Sequence, residues 1–176
     1  MYLSKKVFTQ IKAKYSVKIA TKSDKKALKR FYKNQHYSAS FIGFDSAYII
    51  LDNEQIIASA IVSYSTSDNN QALLHALVVA KPYQKQGIAT ELINIIKQQH
   101  CHNHSNKHSS IVCFTKPELA IFYQALSFKK LTQEQAPNSP IISDENNLIT
   151  DVNFKRFNAY RKKNPALTVC FFSEGF

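Results

Sequence analysis

The chain has 176 residues, of which 44% are apolar and 20% charged, enough for one domain with a buried core and too apolar for disorder. No apolar run approaches the length of a membrane span, and three cysteines, Cys101, Cys113 and Cys170, are too few for a disulfide framework. The net charge of +11 is lopsided, because residues 1–33 hold eleven Lys or Arg against a single acid, Asp24. Such a segment reads either as a face for nucleic acid or as a solvated helix surface, and the second is favoured since no RNA-binding signature accompanies it.

Residues 1–14 form a basic lead-in, helical if structured. They lack an apolar run followed by a small-residue cleavage site, so no signal peptide is read and a cytoplasmic location is expected. Residues 15–20 alternate as a first strand does. Thr21 or Ser23 caps a helix reaching about Lys33, with Ala27, Leu28, Phe31 and Tyr32 inward. Residues 34–46 are a loop carrying Tyr37, Phe41 and Phe44. Two strands follow at 47–51 and 56–65, with Asp52-Asn53 as the hairpin signal.

The stretch LLHALVVAKPYQKQGIATELINIIKQQH, residues 73–100, organises the rest. Its first seven residues are nearly all apolar, as in a strand covered on both faces. Ile88, Leu92, Ile95 and Ile96 make one apolar helix face. Between them Gly87 and Ala89 leave the backbone open to close approach. A strand, a small-residue turn and a helix start together form an anion site suited to a pyrophosphate.

Residues 100–109 are loop-like and contain Cys101, His102, His104 and His108. Their spacing matches no standard zinc pattern, and no metal is expected. A short buried strand at 111–114 leads to a Thr115-x-x-Glu118 capping box and a helix presenting Leu119, Phe122, Tyr123 and Leu126. Residues 128–131 start another strand. Residues 132–148 are polar, Asp151 begins a weakly amphipathic helix to about Lys163, and residues 167–173 are a strand. With no repeat and no second core, the chain reads as one α/β domain over residues 1–176, with an insertion at 132–165.

Gln84, Gly87 and Ala89 fill the signature Q/R-x-x-G-x-G/A, and the strand before them and the helix after them stand where it requires. This resembles the acetyl-CoA site of the GNAT N-acetyltransferase superfamily. The segment AIFYQALSF, residues 120–128, is similar to that family's fourth-helix motif, with Ser127 where a Gly is usual, so the helix has to end without its αL glycine. FTKPELAIFYQALSF also resembles the acetyltransferase-like N-terminal domain of citrate lyase ligase, whose nucleotidyl-transferase domain has no counterpart here. The resemblance implies a mixed, mostly antiparallel sheet splayed at a central parallel pair, with flanking helices. It implies acetyl transfer from acetyl-CoA, a co-substrate, to a primary amine on a small molecule, protein or peptide.

By the same resemblance, the pantetheine contacts the main chain of Leu77 and Val79, with Val78 between, and the pyrophosphate takes amides of Lys85, Gln86, Gly87, Ile88, Ala89 and Thr90. Tyr123 is the general acid for the departing thiolate, although its spacing alone equally fits a core tyrosine. The family's carboxylate base is missing from residues 73–79; His75 shares strand parity with Leu77 and Val79 and has a suitable pKa, with a structural histidine or bulk water as the alternatives. Tyr37, Phe41 and Phe44 line the acceptor slot or plug the loop, and the insertion covers the slot as a lid. Rival readings are a GNAT-like module that binds acyl-CoA or a partner without turnover, and a basic-faced binder of RNA. No membrane partner is expected, and homodimerisation stays open.

Overall fold

The computed structural model describes residues 8–11, 15–38, 45–64, 71–103, 110–130 and 168–173. They fall into two compact units: residues 1–62 with 75–97, and residues 63–74 with 98–176. Among the described residues the architecture is mixed α/β, with mostly antiparallel strands, one parallel pair and flanking helices.

In the first unit, β1 (Phe8–Ile11) pairs antiparallel with β2 (Tyr15–Ile19). The basic lead-in therefore contains a strand rather than a helix. Its four residues FTQI carry no charge and include a β-branched pair, Thr9 and Ile11, suited to an edge strand. A 3₁₀ turn (Lys22–Asp24) precedes α1 (Lys25–Asn34). Thr21 caps that turn rather than α1, whose own N-cap is Asp24: the Asp24 carboxylate accepts the Thr21 N–H at 2.8 Å and its hydroxyl at 2.9 Å. Burial works to raise the Asp24 carboxyl, but the hydrogen bonds from Lys18 and Thr21 hold it below its ordinary value. Leu28, Phe31 and Tyr32 point inward and the intervening cations outward, so the charge of this helix lies on its wet face.

β3 (Ser46–Asp52) and β4 (Gln55–Tyr64) form a hairpin. Its two central residues are Asn53 and Glu54, both left-handed at φ +44° and +70°, the geometry of a type I′ turn. The sequence signal sits one residue earlier. Leu28, Phe31, Tyr32, Ala47, Ile49, Ile56, Ile61, Ala76 and Ala80 pack as one cluster. Truncating a fully buried member such as Leu28 to Ala would cost roughly 2–5 kcal/mol.

β5 (Gln71–Val79) runs from the second unit into the first. Its residues Gln71 to Leu74 pair in parallel with Ser110 to Cys113 of β6 (Ser110–Thr115). β6 pairs antiparallel along its length with β8 (Thr168–Ser173), which in turn pairs with the two-residue β7 (Lys129–Lys130). The order in this unit is thus β5-β6-β8-β7, and β7 with β8 supplies the expected closing hairpin. α2 (Ile88–Asn103) turns Ile88, Leu92, Ile93, Ile95 and Ile96 inward. It continues past the expected loop start, so residues 100–103 are helical. His100 is buried there, its ring 5.9 Å from that of Tyr64.

The Thr115-x-x-Glu118 capping box does not form. Thr115 is the last, buried residue of β6, and Lys116 starts a 3₁₀ turn (Pro117–Leu119) without a side-chain cap. α3 (Ala120–Gln124) follows, burying Ala120 and Tyr123, while Leu119 is exposed. The strand before Pro117 holds Thr115 extended, which the restriction on pre-proline residues at Lys116 reinforces. The insertion at 132–165, its helix from Asp151 and Phe41 and Phe44 lie outside the described residues.

Candidate functional site

The end of β5 and the start of α2 are joined by eight residues, each with a defined job. Ala80 N–H donates to the Ile57 carbonyl at 2.8 Å, fastening the strand end to β4. Lys81–Tyr83 make a single 3₁₀ turn with Pro82 inside it, where the missing N–H costs nothing. The Tyr83 hydroxyl donates to Asp52 Oδ2 at 3.0 Å, and its ring meets that of Tyr15 edge-on at 6.2 Å. Gln84 Nε2 donates to the Val79 carbonyl at 3.0 Å, and Gln86 Nε2 to the Pro82 carbonyl at 2.9 Å. Both glutamine side chains therefore shape the loop from within.

Lys85 and Gly87 are left-handed, at φ +59° and +81°, with Gln86 between them. Changes of hand over successive residues turn neighbouring N–H groups toward one concavity, a backbone nest for anions. The helix's own ladder starts with Glu91 N–H to the Gly87 carbonyl at 3.0 Å. The amides of Ile88, Ala89 and Thr90 come before it and lie at the electropositive end of a 16-residue helix. A Cβ built on Gly87 would meet no heavy atom within 4 Å. The demand for glycine is therefore set by the backbone angle, and a methyl there would project over the turn. The loop thus combines two left-handed residues, the free amides of a helix N-terminus and the Lys85 cation, and no carboxylate stands in residues 81–90.

Upstream, Leu77, Val78 and Val79 are half-buried, and Ala76 is left-handed at φ +53° in mid-strand. An L-residue there costs about 1–2 kcal/mol, so its surroundings have to hold it. Tyr32 Oη lies 3.0 Å from the Ala76 carbonyl and 3.0 Å from Ser59 Oγ. The phenol has one proton and the carbonyl can only accept, so Tyr32 donates to Ala76 and Ser59 donates to Tyr32. Burial pushes the Tyr32 phenol far above its ordinary pKa against the pull of Ser59, which keeps it a donor. Each such bond contributes about 0.5–1.5 kcal/mol, the same scale as the strain.

His75 precedes Ala76 and is half-buried. Burial pushes its imidazole pKa down and the Asp45 carboxylate pulls it up, with a net fall, so the ring is neutral at neutral pH. The parity argument that placed it with Leu77 and Val79 does not carry through, because a left-handed residue interrupts the two-residue alternation.

Tyr123 belongs to the second unit, whereas the loop and His75 belong to the first. It is buried, with ring centroids 5.2 Å from Phe122 and 5.4 Å from Phe128, both near-perpendicular. Phe128 N–H donates to the Tyr123 carbonyl at 3.1 Å and Ser127 N–H to that of Gln124 at 3.0 Å, a Schellman ending. Ser127 takes the αL position itself, at φ +66°. The helix thus keeps the ending that the missing glycine called into question, and the Tyr123–Phe128 ring contact supplies the usual apolar clasp. α1 ends the same way: His36 is left-handed at φ +52°, and Tyr37 N–H donates to the Tyr32 carbonyl at 3.0 Å. Tyr37, expected to line an acceptor slot, packs its ring 5.8 Å from Tyr32 and is otherwise exposed.

Cys113 and Cys170 are free thiols opposed across β6 and β8. Among the described residues no group of three metal-capable side chains converges, and the side chains of residues 101–109 are not among those described. Sequence reasoning missed Tyr32, Ser59, Asp52 and Tyr83 as supports of the loop and strand. Tyr32 was legible only as an inward residue of α1, and no local signal pairs it with residues 27 and 44 positions away.

The chain matches the acetyltransferase (GNAT) domain family over residues 9–139. Solved structures share its fold at low identity. A GNAT-family acetyltransferase from Staphylococcus aureus Mu50 aligns with TM-score 0.60 and 14% identity, over 92% of this chain and 99% of that one. The ribosomal-protein-S18-alanine N-acetyltransferase of Escherichia coli aligns with TM-score 0.57 and 16% identity, over 67% and 79%. N-acetylglutamate synthase from Neisseria gonorrhoeae, complexed with coenzyme A and N-acetyl-glutamate, aligns with TM-score 0.61 and 9% identity, over 92% of this chain and 35% of that one. No curated protein matches the sequence.

Proposed function

Since the chain belongs to the GNAT acetyltransferase family, matched over residues 9–139, we propose that it transfers an acetyl group from acetyl-CoA to a primary amine. The observation that carries this reading is the nest at Lys85 and Gly87, set on the N-terminus of α2 and tied to Val79 by Gln84. Amides of residues 85–90 would hold the pyrophosphate, and main-chain groups of Leu77 and Val79 the pantetheine arm, with Val78 between them. We read residues 1–176 as one domain, because β4, β5 and α2 each continue from one unit into the other.

A thioester is already activated, so the residues mainly align it with a neutral amine. Neutral His75 is the group proposed to take the amine's proton, directly or through water. Backbone donors near Val79 would meet charge developing on the carbonyl oxygen. Tyr123 is the proposed proton donor to the departing thiolate, which leaves as free coenzyme A while the amine nitrogen becomes an amide. Tyr37, Phe41 and Phe44 are the proposed acceptor-side residues. The acceptor is an amine of a small molecule, protein or peptide.

The test is release of free thiol from acetyl-CoA over a panel of amines, amino acids, polyamines and peptides. Amine-dependent release supports transfer. Binding of acetyl-CoA without release for any amine would instead leave a non-catalytic acyl-CoA module.

A further inference from the structure

Tyr32 sits on α1, outside the loop and outside the proposed proton-transfer groups, yet its phenol reaches across to the strand that would carry the thioester. Three observations converge on it. It is buried in the first unit's apolar cluster, so its hydroxyl has to be spent on a partner. That partner is the carbonyl of Ala76 at 3.0 Å, the strand residue of β5 with a left-handed φ. A second hydroxyl, Ser59 on β4 and fully buried, stands 3.0 Å behind it and orients it.

We propose that the Tyr32–Ser59 hydroxyl pair is a positioning lock that holds Ala76 left-handed and so sets the direction of the peptide groups that follow it, Leu77 to Val79. The proposal rests on the reading that those groups bind and polarise an acyl thioester. The physical argument is one of matching. An alanine does not choose φ +53° by itself, whereas a carbonyl anchored at a fixed point leaves the chain little else. Tyr32 is itself anchored: its carbonyl accepts the Tyr37 N–H that closes α1, and its ring meets Phe31 edge-on at 5.6 Å and Tyr37 at a tilt at 5.8 Å. The hydroxyl is therefore presented from a rigid base.

The decisive variant is Tyr32→Phe, which deletes one oxygen and leaves the ring packing. Amide hydrogen exchange of the segment around residues 75–79, measured on the whole chain without any substrate, should accelerate at least about tenfold. Turnover should fall about tenfold while coenzyme A affinity by calorimetry falls by less, since the phosphate loop is untouched and only the pantetheine contacts of residues 77–79 are disturbed. Adding Ala76→Gly should restore most of both losses, because glycine adopts φ +53° unaided. Ser59→Ala, which leaves the phenol free to donate to Ala76, should give a smaller effect of the same kind and serves if Tyr32→Phe folds poorly. Unchanged exchange in Tyr32→Phe overturns the lock. A loss that Ala76→Gly does not repair also overturns it, since that pattern marks general destabilisation. If the protein proves not to be a transferase, turnover is silent but the exchange and rescue measurements still decide the lock.

Discussion

Replacing Gly87 by Ala tests the phosphate loop through its backbone alone. At φ +81° an L-residue is strained, and the added methyl would touch no protein atom within 4 Å. Clash with the protein is therefore absent, and the cost is that of the left-handed angle, about 1–2 kcal/mol. If the loop keeps its shape, that cost appears as lost stability; if it relaxes, the nest opens and the cost reappears when coenzyme A closes it again. A penalty of this size corresponds to about 5- to 30-fold weaker binding, with further weakening if the methyl meets phosphate. Titration calorimetry with coenzyme A, alongside a thermal melt, separates the two routes. Gly87→Glu adds a carboxylate to the same concavity and should abolish measurable binding. Calorimetric affinity for coenzyme A within twofold of the parent chain in both variants would refute the assignment of residues 85–90 to the pyrophosphate.

Tyr123→Phe should lower turnover by about a hundredfold or more while leaving coenzyme A affinity intact, and an unaltered rate would remove the acid role. Ser127→Gly relieves an L-residue held at φ +66° and should raise stability by about 1 kcal/mol, or Tm by about 2–4 °C in a chain of this size; a lower Tm would contradict the Schellman account. His75 has its folded pKa depressed by burial, so its contribution to stability is present above the unfolded value of 6.5 and is lost as pH falls through the folded value. Unfolding free energy should therefore drop more steeply between about pH 7 and 5 in the parent chain than in His75→Gln, as read from urea titrations. Equal slopes would show that His75 is not the group responsible.

The loop was readable before any coordinates because its chemistry is local. Gln84, Gly87 and Ala89 stand within six residues, and the apolar periods on either side already separate a strand from a helix. The inward faces of α1 and α2 were readable for the same reason, since burial of Leu28, Phe31 and Tyr32, or of Ile88, Leu92, Ile95 and Ile96, follows directly from a 3.6-residue period. Boundaries fared worse where two local signals compete. Thr115 carries both a capping side chain and β propensity, and pairing with Thr168 decided in favour of the strand. Ser127 lacked the glycine that usually marks a helix end, yet the two closing hydrogen bonds and the Phe128 ring impose the same ending.

What the sequence by itself determined was the type and order of most elements, the turn between β5 and α2 and the family, because these depend on residues close together along the chain. Tertiary structure alone decided that Ala76 is left-handed, that a phenol 44 positions away holds its carbonyl, and that Asp52 anchors Tyr83. Strand parity, applied to His75, assumes a regular strand, and the left-handed Ala76 interrupts that regularity. The physical reason is that a hydrogen bond between distant residues leaves no periodic trace in either partner's neighbourhood, so it becomes visible only when the folded chain brings the two atoms within 3.0 Å.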